Sequence, residues 1–288
     1  MSEKNTYLNL GCGSRYHADW INMDIAPSGS DVIQCDLSRS IPLPNASCAV
    51  VYHAAVLEHM RRVDAGMFLA ECFRVVKPSG IIRVGVPDLE KTCQLYLSRL
   101  NEALGGNEDS AHDYDWIMLE LYDQTVREKN GGEMVDYFRQ DPLPHEAFVY
   151  ERIGEEGRQL VKALHRRNRH NRRSLSASFS RIKRGLRALP DTVRRYITLC
   201  LLGASGRKAL NIGLFRLSGE VHQWGYDRYS LARILKQAGF KDPKLQDANT
   251  SQIPNWTSFH LDTLPDGQVI KPDLFFMEAI KSEVQTHV

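Results

Sequence analysis

Apolar positions in the first hundred residues follow two rhythms. Short, nearly continuous runs at 6–10, 20–25, 31–37, 49–53 and 81–86 read as buried strands. Between the fourth and fifth, Met67, Leu69, Ala70, Phe73 and Val75 recur at helical spacing. That predicts a helix over 64–77, stopped by Pro78-Ser79-Gly80. Strands alternating with helical stretches predict an α/β fold with a doubly wound, mostly parallel sheet. The pattern then turns helical: Tyr114, Ile117, Met118, Leu121, Tyr122, Thr125 and Val126 share one face, with Gly131-Gly132 as a stop. Sheet-type patterning resumes with a helix at 230–238, closed by Gly239, and an apolar strand at 274–279. The chain thus divides into 1–90 and 221–288, two parts of one sheet domain, and 91–220, a helical insertion. No internal repeat is visible.

Charge sharpens this division. The 288 residues carry a formal net charge of +2, but 152–216 hold 17 Lys and Arg against Glu155, Glu156 and Asp191. That segment stands at +14 on a body of −12, which predicts contact with something anionic. Within it Phe179, Ile182, Leu186 and Leu189 fall on one helical face, and Arg181, Lys183, Arg184 and Arg187 on the other. An apolar run at 196–202 follows, too short to span a bilayer. Residues 174–203 therefore read either as a membrane-surface element or as a solvated basic helix lying on the acidic body. Nucleic acid is the competing anion, through 166–173, but Phe179 is the sole aromatic in 152–195, leaving little for base stacking. The chain has no apolar run of 18 residues, and MSEKNTYLNL has no basic start leading into an apolar stretch. Cys12, Cys35, Cys48, Cys72, Cys93 and Cys200 show neither a C-x-x-C pair nor metal-ligand spacing. The expectation is a cytoplasmic protein with reduced thiols and no metal, peripheral to the inner membrane face if the basic segment meets lipid.

Polar residues gather at the carboxyl ends of the predicted strands, where ligands of such sheets bind. Gly11, Gly13, Asp24, Asp36, His53 and Asp88 all fall there. The glycines let a backbone approach a ligand closely. Asp24 can accept two ribose hydroxyls, and Asp36 can hold an adenine amino group. A third glycine is missing, and the acid comes 13 residues after Gly11 instead of about 20. These departures argue against a dinucleotide and for a nucleoside cofactor without phosphates. Only about nine residues separate the first two strands, short for a crossover helix of at least about 10–12 residues, so a single turn or a loop is expected.

As a set these residues resemble the class I S-adenosylmethionine-dependent methyltransferases. Leu8-Asn9-Leu10-Gly11-Cys12-Gly13 is similar to the family's glycine-rich first motif, and Asn22-Met23-Asp24 to its ribose-binding acid. Cys35-Asp36-Leu37 and Tyr52-His53-Ala54-Ala55-Val56-Leu57-Glu58-His59 resemble the adenine-side and fourth-strand motifs. The stretch from Glu71 to Gly80 resembles the helix and turn before the fifth strand, with Ser79 where many members have glycine. Residues 229–240 are similar to the helix that precedes the sixth strand. The resemblance covers 6–90 and about 222–280 and implies S-adenosylmethionine as cofactor. It also implies a cofactor site of Asn9, Gly11, Cys12, Gly13, Asp24, Ile25, Asp36, Leu37, His53 and Ala54. Within the family the combination most resembles members that accompany polysaccharide or glycolipid biosynthesis. The implied activity is methyl transfer to a small molecule, with O-methylation of a glycan or lipid-linked sugar first. RNA or DNA methylation, and a non-catalytic scaffold recruited to membranes, are the alternatives.

Methyl transfer to a hydroxyl needs alignment and removal of a proton. His59, His222 and Asp88 are the candidate bases. His59 can equally cap or pack, His222 can lie satisfied beneath Trp224 and Tyr226, and Asp88 can cap a helix beginning at Leu89. Asp123-Gln124, Arg127 and Gly131-Gly132 can line an acceptor entrance or form a plain surface helix and stop.

Overall fold

The computed structural model of the chain describes residues 6–171, with backbone alone at 167–171, and 203–283. The basic face around Arg181 and the apolar run at 196–202 lie outside the described residues.

Strands β1 (Tyr7–Leu10), β2 (Ile21–Asp24), β3 (Val32–Gln34), β4 (Cys48–Ala54) and β5 (Val76–Pro87) are parallel neighbours. Strand β6 (Lys241–Gln246) and the last strand, β7 (Leu274–Ile280), complete a seven-stranded sheet in the order β3-β2-β1-β4-β5-β7-β6. β7 is antiparallel to both β5 and β6. The sheet is therefore mostly parallel, and its order reverses beside β1, where ligands of doubly wound sheets bind.

Helix α1 (Arg62–Val75) buries Ala65, Phe68, Leu69, Cys72 and Val75 on the sheet. It ends two residues before the position expected from periodicity. Pro78 disfavours helical geometry at Lys77, and Val76 turns extended to pair with Cys48. Residues 77–80 then bulge out of β5, with Ser79 left-handed at φ 61°. Residues 11–20 contain no helix, so a loop makes the first crossover, as the short spacing requires.

Between β5 and β6 lie α2 (Leu89–Leu104), α3 (Glu108–Val126), α4 (Gly132–Phe138), α5 (Glu146–Asn171), α6 (Gly203–Arg216) and α7 (Arg228–Gln237). Trp116, Ile117, Phe138, Phe148, Val149 and Val161 give α3, α4, α5 and the chain between them an apolar core of their own. Gly154 kinks α5 with φ 61°, and a Cβ there would stand 2.3 Å from the Ile270 carbonyl oxygen. The kink lets α5 lie against the 270 loop at the mouth of the strand-end cleft. Among the described residues no helix is long and apolar enough to cross a membrane.

Candidate functional site

The loop after β1 is a backbone cradle with its internal bonds made. Gly11 and Gly13 have φ of 63° and 52°, a region that favours glycine. The Gly11 N–H donates to the Met23 carbonyl at 2.8 Å, and the Gly13 N–H to Asp24 Oδ2 at 2.8 Å. Asp24 Oδ1 accepts from the Ala26 N–H at 2.8 Å. Asn9, fully buried, donates to the Arg15 carbonyl at 3.0 Å and to Asn22 Oδ1 at 3.3 Å. Below the loop, a Cβ on Gly11 would come within 2.4 Å of Val56 Cγ2, whereas one on Gly13 would meet open space.

This loop forms one wall of a cleft at the carboxyl ends of the strands, where ligands of doubly wound sheets bind. Ala54 and Ala55 line it from the end of β4, and Glu156, Lys271 and Phe276 from the other side. Ala55 is left-handed at φ 55°, a strained state for a residue with a side chain. Its N–H is held by the Gly85 carbonyl at 3.0 Å. Lys271 and Glu156 pair across the mouth at 3.7 Å.

Asp262, which also lines the cleft, belongs to a buried network that the sequence pattern did not single out. Arg83, 0% exposed, holds Asp262 at 2.9 Å and Glu278 at 2.8 Å and lies over the rings of Trp256 and Phe276. The Tyr52 hydroxyl donates to the remaining Asp262 oxygen. Its signal was an Arg and a Glu inside otherwise apolar strands, because buried charges must be paired.

The structure sorts the residues expected to meet the cofactor. Asn9, Gly11, Cys12, Gly13 and Ala54 line the cleft. Asp24 stands behind the loop, half-buried, and Ile25 beside it is 63% exposed, an apolar surface with room for a ring. Asp36 is engaged in its own turn, accepting from the Ser38 N–H at 3.0 Å and its hydroxyl at 2.7 Å. Those bonds, with Arg39, hold its carboxyl below the usual range. Leu37 is half-buried and packs against the main core. His53 is a correction. Side chains alternate across a strand, and with Tyr52 and Ala54 facing the cleft, the His53 ring faces α1, edge-on to Phe68. It is 0% exposed, neither ring nitrogen has a partner, and burial pushes its pKa down to about 3.

Of the candidate bases, Asp88 is occupied as the cap of α2, accepting the Lys91 N–H at 2.9 Å. It borders a separate hollow with Leu245 and Thr250. His59 and His222, 163 positions apart, come together with ring centroids 4.7 Å apart and planes at 88°. The 3-10 turn Leu57–His59 presents His59, and the chain returning from α6 brings His222, whose N–H donates to the Gln124 carbonyl at 2.9 Å. The neighbouring entrance residues are structural. Arg127 pairs with buried Asp123 at 2.8 Å, and the Glu133 N–H donates to Asp123 at 2.6 Å.

Glu58 completes this second group and carried no mark in the sequence except its apolar neighbours. It is 1% exposed, and neither carboxyl oxygen has a partner. Burial raises its pKa to about 8. Burial, then His59, Arg127 and Lys271, push His222 down to about 3, while His59 is lowered chiefly by burial. The Tyr226 hydroxyl is also buried without a partner. Lys271 acts on Glu58, His59 and His222 and lines the cleft as well, so it links the two groups.

Comparison with known proteins bears on the first part of the chain. Residues 8–84 match the family model described as a methyltransferase domain. A protein of Mycolicibacterium smegmatis, described as a probable S-adenosylmethionine-dependent methyltransferase, is 33% identical over 99 residues, 28% of this chain and 37% of its own length. One of Mycobacterium tuberculosis H37Rv, described in the same words, is 33% identical over 99 residues, 28% of this chain and 35% of its own. The chain thus spans little more than a third of the curated relatives it matches. A solved S-adenosylmethionine-dependent methyltransferase of Thermotoga maritima superposes with a TM-score of 0.38 at 10% identity, covering 98% of this chain and 84% of that one.

Proposed function

We propose that this chain, whose residues 8–84 match a methyltransferase-domain family model, is a class I S-adenosylmethionine-dependent methyltransferase that methylates a hydroxyl of a glycan or lipid-linked sugar. The observation that carries the proposal is a preformed glycine loop in the cleft together with a separate buried group in which Glu58, His59 Nδ1 and the Tyr226 hydroxyl have no partner. Gly11 to Gly13 offer the cofactor close backbone approach. Asp24, with lone pairs left after accepting two N–H bonds, takes ribose hydroxyls. Exposed Ile25 gives the base an apolar surface. The cofactor supplies an activated methyl on a sulfonium. The chain has to hold an acceptor oxygen in line with it and accommodate the hydroxyl proton.

A polyhydroxylated acceptor suits free buried groups that both donate and accept. β4 leads into Ala55-Val56-Leu57-Glu58, with no Pro-Pro-aromatic loop of the kind family members use on nucleobase amines. The test is transfer of labelled methyl to sugars, lipid-linked glycans and RNA offered in parallel. Label in the glycan fractions, lost in Asp24→Ala, is expected. Label in RNA alone would overturn the acceptor class.

The proposal extends to where the acceptor is met. The charge of 152–216 suits an anionic lipid surface, at about 1 kcal/mol per basic residue near it. Deleting 174–203 should abolish binding to vesicles containing anionic lipid, and equal binding by the full and deleted chains would remove that claim.

A further inference from the structure

Glu58, His59 and His222 are more than neighbours. Each presents a ligand atom, and the three atoms lie within 4.8 Å of one another. We propose that they hold a divalent transition-metal ion of the zinc class, at which the acceptor hydroxyl binds. Rested on the methyltransferase reading, this names what the buried Glu58, His59 and His222 group does.

Three features support it beyond proximity. The first is the donor set: two imidazoles and one carboxylate suit zinc and leave a coordination position open, as catalytic sites require. The second is orientation. His59 hydrogen-bonds to the backbone of Gly219 and Val221, while its Nδ1 is buried without a partner. A metal-ligating histidine characteristically donates its other N–H to a carbonyl, which fixes the tautomer and points the bare nitrogen at the ion. The third is the lack of any other use for Glu58. A buried carboxyl with two empty oxygens is destabilising unless something occupies it. Its backbone carbonyl is held by the N–H groups of Gln223 at 2.7 Å and Trp224 at 3.2 Å. The same bonds tie the turn carrying Glu58 and His59 to the segment carrying His222.

The separations are compatible with a bound ion. Donors about 2.1 Å from a tetrahedral ion stand about 3.4 Å apart, so the side chains have at most about 1.5 Å to close. The two cations facing the group have carboxylate partners, Arg127 in Asp123 and Lys271 in Glu156. Spacing along the chain gave no metal signature because the third ligand arrives 163 positions after the second.

At such an ion an acceptor hydroxyl loses its proton to water near neutral pH, as metal-bound water does. The oxygen then forms the new O–CH3 bond, the S–CH3 bond breaks, and sulfur keeps the electron pair and becomes a neutral thioether. Neutral imidazoles that bind protons weakly are poor bases but sound ligands.

The test uses the full chain, stripped with chelator and titrated with Zn2+ against a chromophoric chelator. Co2+ is added in parallel for its visible absorption. One equivalent should bind, and Glu58→Gln, His59→Ala and His222→Ala should each weaken it at least tenfold and change the Co2+ spectrum. Titration of the same samples with S-adenosylhomocysteine reports separately on the cofactor half and on folding. A wild-type chain that binds the thioether but no Zn2+ overturns the metal site and leaves the methyltransferase reading standing. Zn2+ bound equally by wild type and His222→Ala also overturns it, placing the metal elsewhere. Zn2+ binding lost in the variants, with no thioether binding by any chain, keeps the site and removes the reading it rests on.

Discussion

The glycine loop and the Glu58–His59–His222 group are opposites in hydrogen bonding. At the glycine loop Asn9 bonds to Asn22 and the Arg15 carbonyl, Ser28 donates to the Gly13 carbonyl, and Asp24 alone fastens Gly13 and Ala26. In the second group Glu58, His59 Nδ1 and the Tyr226 hydroxyl are buried with nothing to bond. A satisfied network is rigid and shaped before its ligand arrives. An unsatisfied one is destabilising until a ligand completes it, and the fold keeps it only where function needs it. The glycine loop is therefore stabilising and the second group frustrated, and changes at the two should move stability in opposite directions.

Gly11→Ala tests the contrast most severely. Its Cβ would lie 2.4 Å from Val56 at a left-handed φ. The clash and about 1–2 kcal/mol of backbone strain should weaken cofactor affinity at least thirtyfold, with partial recovery when Val56→Ala is added. Gly13→Ala, facing open space, should do less. If calorimetry ranks the two glycines the other way, the cradle is misassigned.

In the chelator-stripped chain Glu58→Met should act in reverse, raising stability by about 1–3 kcal/mol because an unpartnered buried carboxyl is removed, while abolishing methyl transfer. Lower stability in denaturant titration would show that the carboxyl is satisfied in solution. His53→Leu should also stabilise, by about 1–2 kcal/mol, but with S-adenosylhomocysteine affinity within about twofold of wild type, since the ring lies beneath α1. A large loss of affinity would return His53 to the cleft.

Stability should fall as pH drops from about 6.5 towards 3. His53 and His222 sit at about 3 in the fold against 6.5 unfolded, so the unfolded chain takes up more protons in that window. Glu58 opposes them. Its folded value of about 8 lies above 4.5, so its contribution is whole below 4.5 and fades as pH rises towards 8. His53→Leu should flatten the acid limb of a stability profile measured by urea titration, and an unchanged limb would contradict the assignment. The smallest effect belongs to Glu156→Gln at the mouth. A half-exposed pair at 3.7 Å is worth about 0–1 kcal/mol, so KM for the cofactor should change by no more than a few fold.

The cofactor end was the more legible of the two in the sequence because its parts are local. Gly11, Gly13 and Asp24 stand at the ends of adjacent strands, and apolar runs place strand ends well. His53 was misplaced because both faces of a central parallel strand are buried, so alternation leaves no mark in 49–53. Helix α1 stops two residues short of its apolar periodicity because Pro78 disfavours helical geometry at Lys77. β6, as KDPKLQ, has no apolar run to reveal it and exists by pairing with β7. The acceptor end was hidden for a further reason. His59 and His222 could each be singled out, but their meeting depends on the path of the helices between them, and Glu58 had no partner in the sequence to expose it.

The most direct measurement is calorimetric titration of the purified chain, and of Asp24→Ala, with S-adenosylmethionine and S-adenosylhomocysteine. One-to-one binding of both ligands in the micromolar range, weakened at least tenfold by the substitution (about 1.4 kcal/mol), is the expected result. A folded wild-type chain that binds neither ligand, or an Asp24→Ala variant that binds as well as wild type, would contradict the account.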